Sequence, residues 1–445
     1  MQVQNRQYWF KSGAFNLIMN IQSLLFGFGS FYLLVRMLDK NSYGIWALFV
    51  ATTTILELGR NGLLQNGLIK YLSESPVELH PKILSSSFFL SAVLMLVCIG
   101  INISLAGFLA NIWHYPDLSR MLYTYNIVYL ILGVMYQFQW IEQANLNFTG
   151  VLISNCVRQG GLFIYIFGCF LFHFRIALMH LIYVQISCAS LATLVQYFFV
   201  RSRLDLSSNI DGAWIRKLFN YGKYAFGTSI SGILIITLNQ MMLGALLYPA
   251  AAGAYNVAEK IVSLTEVPTN ALGAIVFPQS AKRFAAQGHD AIKYLYEKSV
   301  GTILALLIPP LLFLFIFPGL VVHIVAGNNY PETIPIVQVT VLSCLLNPFS
   351  RLFGTILDSI GKPRTNFIII AVFTAFELVL LFTMIRQYGI MGAVYATLIA
   401  NIFLFIVTQV ILKKELRVNV LHTFIYAGRF YPELFGSYIK PIVKR

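Results

Sequence analysis

Charged side chains are scarce in this sequence. Asp, Glu, Lys and Arg make up 11% of its 445 residues, whereas hydrophobic residues make up 58%. A soluble domain carries about 25% charged residues. So few charges cannot cover the surface of a water-soluble fold of this length, and we therefore predict a membrane protein.

Cysteine is also rare, and the placing of the five cysteines argues against two kinds of site. All of them lie in apolar segments and none forms a CxxC pair. We therefore interpret them as small core residues and not as a disulfide framework or a set of metal ligands. They are Cys98, Cys156, Cys169, Cys188 and Cys344.

Motifs of catalysis are missing as well. Gly361 and Lys362 lack the Walker A spacing and a following Ser or Thr, and no HExxH, His/Cys cluster or G-x-S-x-G occurs. The loops predicted on the outside are short and leave no room for an external domain. We predict a secondary transporter and not an enzyme, without cofactor or metal, with a proton or a monovalent cation as the candidate coupling ion.

Long apolar segments, in contrast, are abundant. A transmembrane helix needs about 20 apolar residues, and twelve segments reach a spanning length. Lipid offers no water to the backbone, so these continuous runs predict an all-α polytopic membrane protein. The predicted spans are 12–35, 44–69, 83–111, 121–143, 151–172, 177–200, 220–247, 253–280, 299–325, 333–357, 365–385 and 389–412.

The basic residues between the spans predict the orientation. If the N-terminus is cytoplasmic, 22 of the 31 Lys and Arg residues fall in inside segments and five in outside loops. The positive-inside rule then places both termini in the cytoplasm. The net charge of +14 is thus a topology signal, and we predict no nucleic-acid partner.

An internal repeat relates the two halves of the chain at a shift of 209 residues. Six spans separate the copies, so both have the same orientation, and a parallel repeat places the pathway between the halves. We predict a six-helix lobe over 1–200, a cytoplasmic linker over 201–219, a second six-helix lobe over 220–413 and a basic-aromatic tail over 414–445. The tail is either an interfacial helix or disordered. The repeated residues are Gly44, Glu57, Asn61 and Leu63, which recur as Gly253, Glu266, Asn270 and Leu272.

Charges inside the second span mark the candidate site. A charge in the bilayer interior costs at least about 2.5 kcal/mol and normally faces a partner or a wet cavity. Residues three or four apart share a helix face, so the second and eighth spans each present a polar stripe. The alternative is that these side chains form interhelical hydrogen bonds, with Glu57 and Arg60 as a local ion pair that fixes helix packing. The predicted cavity residues are Glu57, Arg60, Asn61, Glu259, Glu266, Asn270, Asn16 and Asn20, followed by Arg158, Arg351 and Glu377.

Four segments resemble a known family. They are RMLDKNSYGIWAL (36–48), YPAAAGAYNVAEKI (248–261), VFPQSAKRF (276–284) and ILDSIGKPRTN (356–366). In order and spacing they resemble the polysaccharide-exporter branch of the multidrug/oligosaccharidyl-lipid/polysaccharide flippase superfamily, including the flippases of O-antigen and other lipid-linked oligosaccharides. The resemblance implies two six-helix lobes around a central cavity lined by spans 1, 2, 7 and 8. It also implies that acidic and basic cavity residues act in transport, and Glu57, Arg60 and Glu266 occupy those positions here.

The function expected from this resemblance is the flipping of undecaprenyl-pyrophosphate-linked oligosaccharides across the bacterial inner membrane. Such units serve O-antigen, capsule or exopolysaccharide assembly, and a polymerase and other assembly proteins are the expected partners. Three alternatives remain open at this point. They are a cation-coupled multidrug exporter of the same superfamily, a membrane polysaccharide polymerase or ligase, and a scaffold that transports nothing.

Overall fold

The computed structural model describes residues 2–207, 210–266, 269, 289–359 and 363–434. Within these ranges the side chains of 2–17, 224–236, 266, 289–291, 358–359, 363 and 433–434 lie outside the description. Every regular element in the described chain is a helix, which confirms the predicted all-α fold. Ten of these helices are long and apolar enough to span a bilayer, so the protein is a multi-pass membrane protein.

The helices of the first half follow the predicted spans closely. Their bounds are α1 (Gln2–Met37), α2 (Lys40–Glu74), α3 (His80–Ile112), α4 (Asp117–Ala144), α5 (Thr149–Asn155), α6 (Gly161–Leu171) and α7 (Leu178–Val200). A π-helical segment, Cys156–Gly160, joins α5 to α6 inside the fifth predicted span. Such a segment inserts an extra residue per turn and is often found at functional sites.

The second half contains more breaks. Its helices are α8 (Gly212–Leu246), α9 (Pro249–Ser263), α10 (His289–Ile316), α11 (Pro318–Ala326), α12 (Thr333–Cys344), α13 (Asn347–Ser359), α14 (Pro363–Tyr388), α15 (Ile390–Leu416) and α16 (Val420–Leu434). Pro318 divides the ninth predicted span, because proline begins a helix well but cannot continue one. The eighth predicted span is described only as far as Glu266 and at Thr269, so the count of twelve stays a prediction.

Contacts divide the chain into two units, Met1–Gly253 and Ala254–Arg445. Helix α8 lies in the first unit because it packs along α2, and glycines permit the close approach. A Cβ atom at Gly222 of α8 would collide with the carbonyl oxygen of Leu63 on α2. Where α2 meets the start of α9, one at Gly44 would collide with the carbonyl oxygen of Pro249. Small residues are the usual means of bringing membrane helices together. The division into two six-helix lobes joined by the linker 201–219 stays a prediction made from the internal repeat.

The first unit has a continuous apolar core at the end of α2. Leu64, Leu68 and Leu72 pack there against Ile83 on α3 and Trp140 on α4. The side chain of Asp39 caps the start of α2 by accepting hydrogen bonds from the amides of Asn41 and Ser42. The core at one end and the Asp39 cap at the other hold α2 in place, and Glu57 and Arg60 lie between these two ends.

In the second unit, the segment after the last span forms a helix. Helix α16 packs against α10, where Glu297 accepts hydrogen bonds from the Asn419 amide at 2.8 Å and pairs with His422 at 3.1 Å. The Tyr431 hydroxyl donates to the carbonyl oxygen of Ala305. Residues 420–434 of the tail therefore form a helix, which is one of the two predicted alternatives, and contacts to α10 hold this helix.

Candidate functional site

Glu57 lies at the middle of α2 and is half-buried. Its Oε1 atom accepts a hydrogen bond of 2.9 Å from the hydroxyl of Tyr125 on α4. Tyr125 is itself buried between Phe49 and Tyr129, whose rings meet it edge-on at 5.2 and 4.9 Å. The carboxylate is therefore positioned by a donor that packing holds in place, and charge-assisted hydrogen bonds of this kind are among the stronger ones.

Arg60 lies one turn further along α2 and is 2% exposed. Its Nη1 atom donates to the Tyr129 carbonyl at 3.1 Å, while Nε and Nη2 donate to Oδ1 of Asn61 at 3.3 and 3.2 Å. The guanidinium also lies 5.6 Å from the centre of the Tyr136 ring. All of these partners are neutral, so among the described residues the hydrogen bonds of Arg60 supply no counter-charge.

The alternative of a Glu57–Arg60 ion pair is absent from the described structure. The described ion pairs do not include Arg60, whose described contacts are amide and carbonyl oxygens and an aromatic ring. Removing a charged group from water without a counter-ion is costly. The protein bears this cost at Arg60. Gly133 on α4 leaves room for the guanidinium, because a Cβ atom there would lie 3.1 Å from Nη1.

A row of aromatic residues on α4 builds the wall opposite these charges. Tyr125, Tyr129, Tyr136 and Trp140 are spaced by four, seven and four residues, so they share one helix face. The Tyr129 hydroxyl donates to the Thr53 carbonyl at 3.3 Å. These tyrosines are not among the cavity residues predicted from the sequence. Their helical spacing was the signal that could have identified them.

Arg158 joins the same cluster from the π-helical segment between α5 and α6. Its Nε atom is buried and has no hydrogen-bond partner in the described structure. Electrostatic interactions link its guanidinium to Glu57, Tyr125 and Tyr136. The cluster thus contains two guanidinium groups and one carboxylate, and one of its buried donors has no acceptor among the described residues.

The structure brings together Glu57, Arg60, Asn61 and Arg158 but not every predicted site residue. Asn20 is exposed on α1, Glu259 is half-buried on α9, and Arg351 is exposed on α13. Glu377 is buried on α14, where it accepts a 3.2 Å hydrogen bond from Thr397. The side chains of Asn16 and Glu266, and the whole of Asn270, lie outside the described residues.

A second buried carboxylate has a different setting. Glu142, at the end of α4, accepts a 2.6 Å hydrogen bond from Gln196 on α7. Gln196 accepts in turn from Ser154, which accepts from Gln139. This network links three helices without reaching the Glu57 cluster. Among the described residues, no group of His, Cys, Asp and Glu could hold a metal ion.

The sequence of residues 33–335 matches a family described as polysaccharide biosynthesis protein. That match covers more than half of the chain. The chain belongs to this family.

Two curated relatives of the chain are named for glycan export or lipopolysaccharide synthesis. The probable low-salt glycan biosynthesis flippase Agl15 of Haloferax volcanii is 24% identical over 41% of this chain and 39% of its own length. The lipopolysaccharide biosynthesis protein WzxC of Escherichia coli is 22% identical over 92% of this chain and 83% of its own. The chain thus spans less than half of the first relative and most of the second.

Solved structures confirm the fold. An inward-facing multidrug resistance MATE transporter of the MOP superfamily superposes with a TM-score of 0.73 at 12% identity, covering 88% of this chain and 96% of its own. The lipid II flippase MurJ superposes with a TM-score of 0.71 at 14% identity, covering 96% and 92%. The family match over residues 33–335 confirms the predicted resemblance to polysaccharide exporters, and these likenesses to solved structures describe the fold alone.

Proposed function

We propose that the protein is a flippase that carries undecaprenyl-pyrophosphate-linked oligosaccharides across the bacterial inner membrane, with both termini in the cytoplasm. The observation that carries this proposal is the excess positive charge in the membrane interior of the first unit. Within the part of the chain that the structure describes, Arg60 has only neutral hydrogen-bond partners and the Nε atom of Arg158 has none. An interior of this polarity suits a substrate with anionic phosphates.

The chemistry divides between the side chains of the cluster. The guanidinium groups of Arg60 and Arg158 bind the pyrophosphate or an acidic sugar, because planar guanidinium matches phosphate oxygens. The half-buried Tyr136 offers a ring face on which a sugar can stack, and Asn61 takes the place of water at sugar hydroxyls. Glu57 limits the net charge so that binding is reversible, and it couples the cycle to a proton or a monovalent cation. Glu266 and Asn270 supply the equivalent groups of the repeat.

The names of the relatives support this assignment over the alternatives. Both curated relatives belong to glycan or lipopolysaccharide biosynthesis, and one is named as a flippase. A multidrug exporter shares the fold, but an interior with two arginines and one carboxylate suits an organic cation poorly. Flipping requires no bond to be made or broken, in agreement with the prediction that the protein is a transporter and not an enzyme.

The test is the surface polysaccharide of the native host. We expect Arg60→Ala and Arg158→Ala each to abolish surface polymer and to accumulate lipid-linked oligosaccharide on the cytoplasmic face. The control is Arg386→Ala, which removes an exposed arginine that packs over the Phe382 ring at the end of α14. Amounts of each variant in the membrane are measured by immunoblot.

Two results would contradict the proposal. Wild-type polymer with both arginine variants would remove these residues from the transport site. Normal polymer in a strain that lacks the gene, together with increased sensitivity to cationic drugs, would favour the multidrug exporter.

A further inference from the structure

A basic groove lies between the end of α2 and the start of α8, away from the Glu57 cluster. Its volume is about 980 Å³, and its lining includes Asn66 and Tyr71 from α2 with Arg216, Lys217, Asn220 and Tyr221 from α8. None of the residues that line it is acidic. The function proposed above makes no use of this groove.

Aromatic rings, and not carboxylates, position the cations of the groove. The Nζ atom of Lys70 lies 4.7 Å from the centre of the Tyr221 ring, and that of Lys217 lies 4.3 Å from the centre of the Trp214 ring. The rings of Trp214 and Tyr221 both meet the Tyr71 ring edge-on. The described ion pairs include none of these lysines, nor Arg216. Their charge therefore remains available to a ligand.

The start of α8 is tied to the rest of the unit. Ser85 on α3 donates to the Ser207 carbonyl at 2.8 Å, and Ser86 donates to the Asp211 carbonyl at 3.2 Å. Trp214 and Leu218 are buried in the core formed with α2, α3 and α4. The groove is therefore built on two long helices and has a defined geometry.

The position of the groove in the chain places it at the level of lipid headgroups. Asn66 and Tyr71 lie in the last turns of α2, which ends at Glu74, and Arg216 lies in the second turn of α8. With the N-terminus in the cytoplasm, both helix ends face the cytoplasm. This is the side on which a lipid-linked sugar is assembled before it is flipped.

We propose that this groove binds the pyrophosphate and first sugar of a polyprenyl-linked substrate, as a loading site that precedes the interior site. The inference rests on the proposed function. Arg216 and Lys217 of the lining, with Lys70 beside Tyr221, supply the charge that a diphosphate requires. Tyr71 and Tyr221 supply faces for a sugar ring. Asn66 and Asn220 supply amide groups for its hydroxyls, while the polyprenyl chain remains in the bilayer.

The experiment measures lipid binding to the purified full-length protein in nanodiscs. The probe is undecaprenyl pyrophosphate that carries one N-acetylhexosamine. We expect Arg216→Gln with Lys217→Gln to weaken its binding roughly 10- to 30-fold, because each basic residue near a membrane surface contributes a measurable attraction to an anionic headgroup. Tyr221→Leu should weaken binding of the sugar-bearing probe more than that of undecaprenyl pyrophosphate alone.

The matched control is Lys413→Gln with Lys414→Gln. This change also removes two neighbouring exposed charges from a helix end that is predicted to face the cytoplasm. Equal weakening by the control and groove variants would overturn the proposal, because any basic patch would then suffice. Equal competition by phosphatidylglycerol would reduce the groove to a general anionic-lipid surface, and equal competition by inorganic pyrophosphate would make it a site for a free anion.

The binding assay tests the groove and the polymer assay tests the interior site, so either proposal can be contradicted without the other. If the groove variants bind the probe as the wild type does, while Arg60→Ala still abolishes polymer, the loading site is wrong and the flippase survives. If the groove variants lose binding while Arg60→Ala and Arg158→Ala leave polymer unchanged, the loading site stands and the interior site is wrong.

Discussion

Buried arginine occurs in the first unit and not among the described residues of the second, although both units also bury carboxylates, Glu142 being that of the first. In the first unit, Arg60 is buried among neutral oxygens, and Arg158 has a buried Nε atom without a described partner. In the second unit, the buried charged side chains that the structure describes are Glu297 and Glu377, and no Lys or Arg is among them. Each of these acids has an identified hydrogen-bond donor, Glu297 from the tail and Glu377 from Thr397.

The repeat makes this difference informative. At a shift of 209 residues Glu57 matches Glu266, but Arg60 matches Thr269, which is buried. One copy has therefore gained or kept a guanidinium in a place where the other carries a hydroxyl. Because a buried charge is expensive, an unequal charge in otherwise similar copies indicates unequal roles. We infer that the guanidinium contribution to anion binding belongs to the first unit.

The largest expected effect comes from Glu57→Gln in the first unit, and Glu377→Gln is the matched substitution in the second. Glu57→Gln keeps an acceptor for Tyr125 but removes the charge, and we expect transport to fall about 10- to 100-fold, as for a lost charge-assisted interaction of about 1.5–3 kcal/mol. Glu377→Gln keeps the bond to Thr397 and should leave transport within about twofold of wild type, because hydrogen bonding without charge suffices there. Flipping of a fluorescent lipid-linked oligosaccharide in proteoliposomes measures both. Equal losses would mean that the two units share the chemistry.

A tyrosine pair gives an intermediate effect. The Tyr125 hydroxyl donates to a carboxylate, whereas the buried Tyr296 hydroxyl donates to the Phe349 carbonyl at 3.2 Å and accepts from Gln409. Tyr125→Phe should lower transport about tenfold, since it removes a bond to a charged group. Tyr296→Phe should instead lower the free energy of unfolding by about 1 kcal/mol and leave transport unchanged. Thermal unfolding in detergent, run beside the flipping assay, separates the two outcomes.

Much of this fold follows from composition, because long apolar runs in lipid permit only helices. The charges on α2 were identified for the same reason, since Glu57 and Arg60 stand out in an apolar segment. Their partners were not identified. Tyr125 and Tyr129 lie 68 and 69 residues from the charges they contact, and sequence spacing within one helix cannot show which neighbouring helix it faces.

The remaining features depend on contacts that no local pattern reveals. Arg158, whose Nε atom is buried, lies in a π-helical turn that no sequence pattern predicted. The helix over 420–434 is held by Glu297, which accepts a hydrogen bond from the backbone amide of Asn419, 122 residues later in the chain. In the basic groove, Lys70 and Tyr221 were assigned to separate segments, and only the packing of α8 on α2 brings them together.

The smallest effect is expected from a methyl group beside Arg60. At Gly133, a Cβ atom would lie 2.7 Å from Sδ of Met95 and 3.1 Å from Nη1 of Arg60. Ala gains about 1 kcal/mol of helix propensity over Gly, and overpacking costs about 1–3 kcal/mol, so the two terms largely offset each other in stability. The guanidinium must nevertheless shift by a few tenths of an ångström. Gly133→Ala should therefore lower transport about two- to fivefold with little change in unfolding temperature.

The second unit supplies the matched change for this prediction. A Cβ atom at Gly354 would lie 3.2 Å from the side-chain amide of Asn366, which is similarly crowded but carries no charge. Gly107→Ala is the uncrowded reference, because a Cβ atom there meets nothing within 4 Å. If Gly354→Ala lowers transport as much as Gly133→Ala, crowding alone accounts for the loss, and the position of the Arg60 guanidinium has no special importance. If only Gly133→Ala lowers it, transport depends on where that charge lies, as a substrate-binding arginine requires.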